Sequence, residues 1–257
     1  MAEPTSHLPF RTLIALPDTL GDAQIAIKLR NTDSDVNWQL TNKIFLDFVS
    51  CADAGMFAGN LVPPIQSFMQ VDSRISERGD ELIYDCKTRG IDCGAFRILL
   101  GILAQTSHRF LQLTEVQITS AAHFEVNLGL DSILASPFPS RSEHLPFELR
   151  LGEYFFEHRE PLFRMDFLRE LDNDEFDELR VLIEAWNNIV NIGGYLDRFE
   201  NAIEEPLINT ETFMSSPTTL EHLIYGFEGP VNAFNAVINM MVKLDAKSCR
   251  LNVLEIE

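Results

Sequence analysis

Five carboxylates fall within seven positions, Asp172-Asn173-Asp174-Glu175-Phe176-Asp177-Glu178. Clustered oxygens attract hard cations such as calcium. The run lacks the glycine at the sixth loop position and the bidentate glutamate at the twelfth that an EF-hand needs, so no metal site is expected. Acids at this density suit the positive end of a helix dipole. They also suit a contact surface for a basic partner, with Asp172, Asp174, Glu175, Asp177 and Glu178 as the candidate partner-binding residues. Trp38 is the sixth candidate: an aromatic side chain near a helix start can anchor a partner, although packing into the core is the simpler role.

Other chemistry finds no footing in the pattern. There is no G-x-x-x-x-G-K-[ST] and no G-x-G-x-x-G, so the backbone cradles of the common nucleotide folds are missing. The six histidines, His7, His108, His123, His144, His158 and His222, include no pair at the i, i+4 spacing of H-E-x-x-H. No G-x-S-x-G elbow occurs. Cys51 falls inside an expected helix and reads as a small buried hydrophobe. Cys93, in Asp92-Cys93-Gly94 before a helix, is the one thiol whose position would lower its pKa. No catalytic residue, metal ligand or cofactor is therefore expected.

Charge narrows the partners. Acidic residues outnumber basic ones 39 to 20, a net charge of -19. Phosphate-backbone affinity comes mainly from Lys and Arg displacing counterions, so direct nucleic-acid binding is disfavoured. The excess is concentrated: residues 153–205 hold 15 acids against 5 bases. Four cysteines, Cys51, Cys86, Cys93 and Cys249, contain no C-x-x-C pair and are too scattered for a disulfide framework. A bridge between Cys86 and Cys93 is sterically open, but reduced thiols are expected. The longest apolar stretches fall far short of the roughly 20 residues that cross a bilayer. The start, Met1-Ala2-Glu3-Pro4-Thr5-Ser6-His7, lacks the basic and apolar regions of a secretory leader, so a cytoplasmic protein is expected.

The elements that would position these groups recur. His7-Leu8-Pro9-Phe10 returns as His144-Leu145-Pro146-Phe147, 137 positions later. Ile25, Ile27 and Leu29 alternate with Ala26 and Lys28 like a strand with one buried face, and Phe163, Met165 and Phe167 do so at offset 138. Turn-type residues, Pro17 to Asp22 and Glu157 to Pro161, precede both, so each half opens with a hairpin.

A helix follows in each. In the second half Leu179, Leu182, Ile183, Trp186, Ile189 and Val190 share one face, ending at Gly193-Gly194. In the first, a helix from about Asp35 runs through Leu40, Ile44, Phe48 and Val49 to Gly55, which aligns with Gly194 at offset 139. Leu82-Ile83-Tyr84 and Leu223-Ile224-Tyr225 read as strands at offset 141. The helices Phe96, Leu99, Leu100, Leu103 and Phe234, Val237, Ile238, Met241, like the closing strands Leu113 to Ile118 and Leu251 to Ile256, keep offset 138. A further strand is possible at Ser67-Phe68-Met69 and Thr212-Phe213-Met214.

The expected fold is α+β: two tandem diverged β-β-α-β-α-β halves related by a pseudo-twofold, with helices packed on one face of the sheet. Residues 7–130 form the first repeat, 131–143 a turn-rich linker and 144–257 the second repeat. One continuous sheet is favoured, because a half with two helices leaves an apolar face that needs a cover. The function expected is that of an acidic, non-enzymatic protein-interaction module, most concretely an immunity or inhibitor-type protein that binds a basic partner such as a toxin. The alternatives are a small-molecule binder or enzyme with a pocket between the repeats, and a subunit that forms a homo-oligomer through sheet edges.

Overall fold

A computed structural model describes residues 8–15, 24–33, 35–57, 67–89, 93–120, 130–135, 144–153, 160–196, 199, 209–227, 229–247 and 250–257. The turn at 17–22 and His7, His123, His158 and Cys249 lie outside them. The chain is α+β. In order it forms β1 (Arg11–Ala15), β2 (Gln24–Asn31), α1 (Gln39–Asp53), β3 (Ser67–Ile75), β4 (Glu81–Arg89), α2 (Cys93–Arg109) and β5 (Leu113–Ser120). A six-residue helix α3 (Leu130–Ala135) follows at the start of the stretch expected to be a linker. Then come β6 (Glu148–Leu151), β7 (Leu162–Phe167), α4 (Asn173–Asn191), β8 (Asn209–Ser216), β9 (Thr219–Tyr225), α5 (Phe234–Lys247) and β10 (Leu251–Ile256). The possible extra strands exist, as β3 and β8, and are long.

Two five-stranded sheets result, ordered β1-β5-β2-β4-β3 and β6-β10-β7-β9-β8. In each, the first and last strands pair in parallel and all other pairs are antiparallel. The single continuous sheet is thus corrected. Each half's last strand returns between its own first two, so the expected opening hairpins are corrected: β1 and β2, and β6 and β7, are not paired with each other, and the apolar faces are covered by helices. α1 packs on α4, and one hydrophobic core runs through both halves. α2 is buried on all sides from Gly94 to Ser107, with Arg97, Gln105, Thr106 and Ser107 as its buried polar residues. The cover that the sequence argument called for is therefore supplied by the other half.

Register refines the offsets. Ile27 pairs with Tyr84 and Ile118, while Phe163 pairs with His222 and Ile256. Tyr84 and His222 are thus equivalent at 138, and the offset of 141 for these strands is corrected. A shift of three residues is odd and would exchange the buried and outer faces. Leu82, Tyr84 and Cys86 face the core, as do Leu220, His222 and Ile224. By the same pairing Ile27 matches Phe163, an offset of 136, and both sheets carry a bulge just after that stretch. Ile75 and Met214 face the equivalent Leu82 and Leu220, which replaces the match of Ser67–Met69 to Thr212–Met214.

The ends of α1 and α4 are alike bond for bond. Ala54, Gly55 and Met56 N–H groups donate to Ser50, Ala52 and Cys51, and Ile192, Gly193 and Gly194 donate to Asn188, Val190 and Ile189. Gly55 at φ 77° and Gly193 at φ 81° are the left-handed residues that end each helix. The counterpart of Gly55 is Gly193, at offset 138, not Gly194.

α1 starts at Gln39, four residues after the expected Asp35, and buries Thr41, Ile44, Phe45, Phe48, Cys51 and Ala52. Leu40, expected on that face, is exposed.

Candidate functional site

The acidic run forms the start of α4, and part of it is committed to ending the helix cleanly. Asp172 is the N-cap: its Oδ1 accepts from the Glu175 N–H at 2.9 Å, and Glu175 Oε2 accepts from the Asp172 N–H at 3.1 Å. This reciprocal capping box satisfies two donors that the helix cannot bond internally. Arg169 grips the Glu175 carboxylate through both terminal nitrogens. Asp177 has Arg180 at 3.4 Å, one turn on. Asp174, Asp177 and Glu178 are exposed, whereas Glu175 is mostly covered. No group of three or more His, Cys, Asp or Glu that could hold a metal ion occurs among the described residues.

Trp38 lies far from this cluster in function. It is 5% exposed at the N-cap of α1, and its Nε1 donates to the Gly79 carbonyl at 2.9 Å. Its role as a surface anchor is corrected: the ring is core, and its only polar atom is satisfied inside the chain. The structure does not bring Trp38 and the α4 acids together.

Cys51 and Cys86 are buried and free, so Cys86 forms no bridge. Burial pushes the Cys51 thiol well up and the Cys86 thiol up to about 12.

Sequence reasoning missed a buried polar group centred on His222. In the middle of β9 and 1% exposed, its ring lies between Phe163 and Trp186. Nδ1 is 2.9 Å from Thr212 Oγ1, and Nε2 is 3.3 Å from Asn187 Oδ1. Asn187 in turn donates from Nδ2 to Thr210 Oγ1 at 3.3 Å. An amide oxygen only accepts, so with this amide orientation Nε2 carries the proton and Nδ1 accepts from the Thr212 hydroxyl. Burial pulls the imidazole down to about 4, so the ring is neutral at pH 7. The only available sign was the equivalence to Tyr84, a core position, which the offset of 141 concealed.

The junction of the halves holds a second missed group. Asp47 on α1 accepts from Asn188 Nδ2 on α4 at 2.9 Å, and burial between the helices raises its carboxyl to about 6. His108 Nε2 donates to the Phe199 carbonyl at 2.8 Å, and Arg109 donates to the Asn191 carbonyl at 3.3 Å. Arg97, buried in α2, reaches the carbonyls of Leu134 and Leu196 and lies over the Phe199 ring. His108, Arg109 and Arg97 thus each donate to a backbone carbonyl of the other half or of α3.

Among the described residues the first half lines surface clefts at two places. One, of about 520 Å³, lies between the start of α1 and β3 and is lined by Val36, Trp38, Asn42, Ser73 and Ile75 among others. The second, of about 460 Å³, sits where α2 ends, beside Asn31, Asp33, His108 and Arg109.

No family model matches the chain, and no curated protein matches it. Among solved structures it is similar to the first half of the periplasmic protease PqqL from Escherichia coli, at 9% identity and a TM-score of 0.22, covering 92% of this chain and 70% of that one. It is similar to a conserved protein from Enterococcus faecalis V583 at 8% identity and a TM-score of 0.21, covering 92% of this chain and 78% of that one. A third is the ferredoxin protease FusC in complex with Arabidopsis ferredoxin, at 10% identity and 0.19, covering 91% of this chain and 36% of that one. Likeness at these scores carries no argument about fold or activity. No helix among the described residues is long and apolar enough to cross a membrane.

Proposed function

We propose that the chain is an acidic, non-enzymatic protein-interaction module of the immunity or inhibitor type, acting in the cytoplasm on a basic protein such as a toxin. The observation that carries the reading is the division of labour in the acidic run. Asp172 and Glu175 hold the helix end, which leaves Asp174, Asp177 and Glu178 exposed on the first two turns of α4 within a chain of net charge -19. Carboxylates held on a capped helix attract and orient a cationic surface with little further loss of side-chain freedom.

The module is built from two diverged repeats, 7–130 and 144–257, related by a pseudo-twofold. Supporting this are the matching strand orders, the matching helix ends, and two reciprocal contacts at offset 138. Asn239 Nδ2 lies 3.1 Å from the Met56 carbonyl, and Gly101 stands against the Gly194 carbonyl. Residue i meeting j while the equivalent of i meets the equivalent of j is the pattern of a twofold interface.

The test is quantitative capture from lysate of the producing cell, at low and high salt, by the parent and by D174N/D177N/E178Q. The expected result is a basic protein held by the parent at low salt and released both by salt and by the triple variant. Capture that is indifferent to both overturns the electrostatic assignment.

A further inference from the structure

We infer that β3 is a homodimerisation edge, pairing antiparallel with β3 of a second copy about a twofold centred on Ser73. The inference is independent of the acidic surface on α4.

β3 ends the first sheet and, among the described residues, bonds to β4 alone. It is nine residues long, and Met69, Val71 and Ile75 are each more than half exposed on it. A long edge strand carrying exposed apolar side chains is a template for another strand. The equivalent edge, β8, has no strongly exposed large apolar side chain, so this feature belongs to one half only.

Backbone phase says which residues would pair. The Ser76 N–H donates to the Glu81 carbonyl at 2.9 Å, and the pairs Arg74 with Ile83 and Asp72 with Asp85 continue that phase. Hydrogen-bonding direction alternates along an antiparallel strand, so Ser73 and Ile75 turn their N–H and C=O groups outward. A twofold at Ser73 places Ser73 opposite itself in a bonded pair and Ile75 opposite Val71 of the second copy, where the register shift between Gln70 and Asp72 interrupts the alternation, so the regular part of the pairing is Asp72 to Arg74.

Charge selects that register and that occupant. Centred on Ser73, Asp72 faces Arg74 of the second copy, and Arg74 faces its Asp72. Centred on Asp72 or on Arg74, like charges meet directly, which is unfavourable. Asp72 and Arg74 are thus complementary to each other across the twofold, with Arg74 also paired to Asp85 of its own chain at 2.5 Å. The 520 Å³ cleft borders the core side of β3, so the inward side chains of an added strand have space beside Trp38 and Ile75.

The test is sedimentation velocity over a concentration series, with the melting temperature of each variant measured alongside. The parent is expected to shift from once to twice the chain mass of 29.2 kDa as concentration rises. Ser73→Pro deletes an outward N–H, which an edge strand tolerates, and is expected to remain monomeric. Asp72→Arg and Arg74→Asp are each expected to weaken the dimer, and the two together to restore it. The charge variants decide the matter if Ser73→Pro does not fold. A parent that stays monomeric throughout, a dimer indifferent to these changes, or a double variant no better than the singles overturns the proposal.

Discussion

Asn239, fully buried in α5, donates its side-chain amide to the carbonyl of Met56, 183 residues earlier, at 3.1 Å. That carbonyl belongs to the turn that ends α1, so the bond ties a helix of one half to a helix end of the other. At the equivalent place Gly101 takes the role by absence: a Cβ there would come within 3.1 Å of the Gly194 carbonyl oxygen and 3.2 Å of the Phe199 ring.

Asn239→Leu leaves a buried carbonyl without its donor and is expected to cost about 1–3 kcal/mol. Gly101→Ala presses on a backbone oxygen and is expected to cost about as much, in the range of overpacked cores. Both are read from urea midpoints. If the halves were independent, two unfolding transitions would separate instead of one shifting.

Acid should destabilise the protein through His222. Its folded pKa of about 4 lies below the unfolded value of about 6.5, so the unfolded chain binds more protons between these limits. Stability from this group is complete above about pH 6.5 and is lost as pH falls towards 4, by up to about 3 kcal/mol. His222→Phe removes the titration. Its melting temperature is expected to vary less over pH 4–6.5 than that of the parent, whatever its absolute value.

Asp47 works in the opposite direction. Its folded pKa of about 6 lies above the unfolded value of 3.8, so its contribution is largest below 3.8 and falls as pH rises through 6. Asp47→Asn keeps an acceptor for Asn188 and removes the half-buried charge. The variant is expected to melt higher than the parent at pH 7.5 and to converge with it near pH 4.

The acidic run should divide by role. Asp172→Ala removes the N-cap bond to Glu175 and is expected to cost about 1 kcal/mol by chemical denaturation. Asp174→Ala breaks no hydrogen bond among the described residues and is expected to stay within about 0.5 kcal/mol of the parent. Equal losses at both positions would mean that the helix dipole, not the cap, dominates.

Much of the architecture was readable because burial imposes periods on the chain. Ile25, Ile27 and Leu29, and Leu179, Ile183, Trp186 and Val190, announce a strand and a helix by spacing alone, and their recurrence announces a second half. The turn-forming Gly55 and Gly193 mark both helix ends because only glycine takes positive φ without strain. The acid run at 172–178 was likewise legible as a helix start.

Tertiary structure decided what periodicity cannot carry. Equivalence of Tyr84 with His222 depends on cross-strand register, which long-range pairing sets and local spacing does not. Whether an aromatic such as Trp38 faces solvent or the core depends on what packs against it, here the Gly79 turn. The choice between one sheet and two was made by the helices: α1 against α4 covers both apolar faces at once, and that contact joins residues more than a hundred positions apart. A sequence records each residue's preference for burial, while the partner that provides it is known only when the chain has closed on itself.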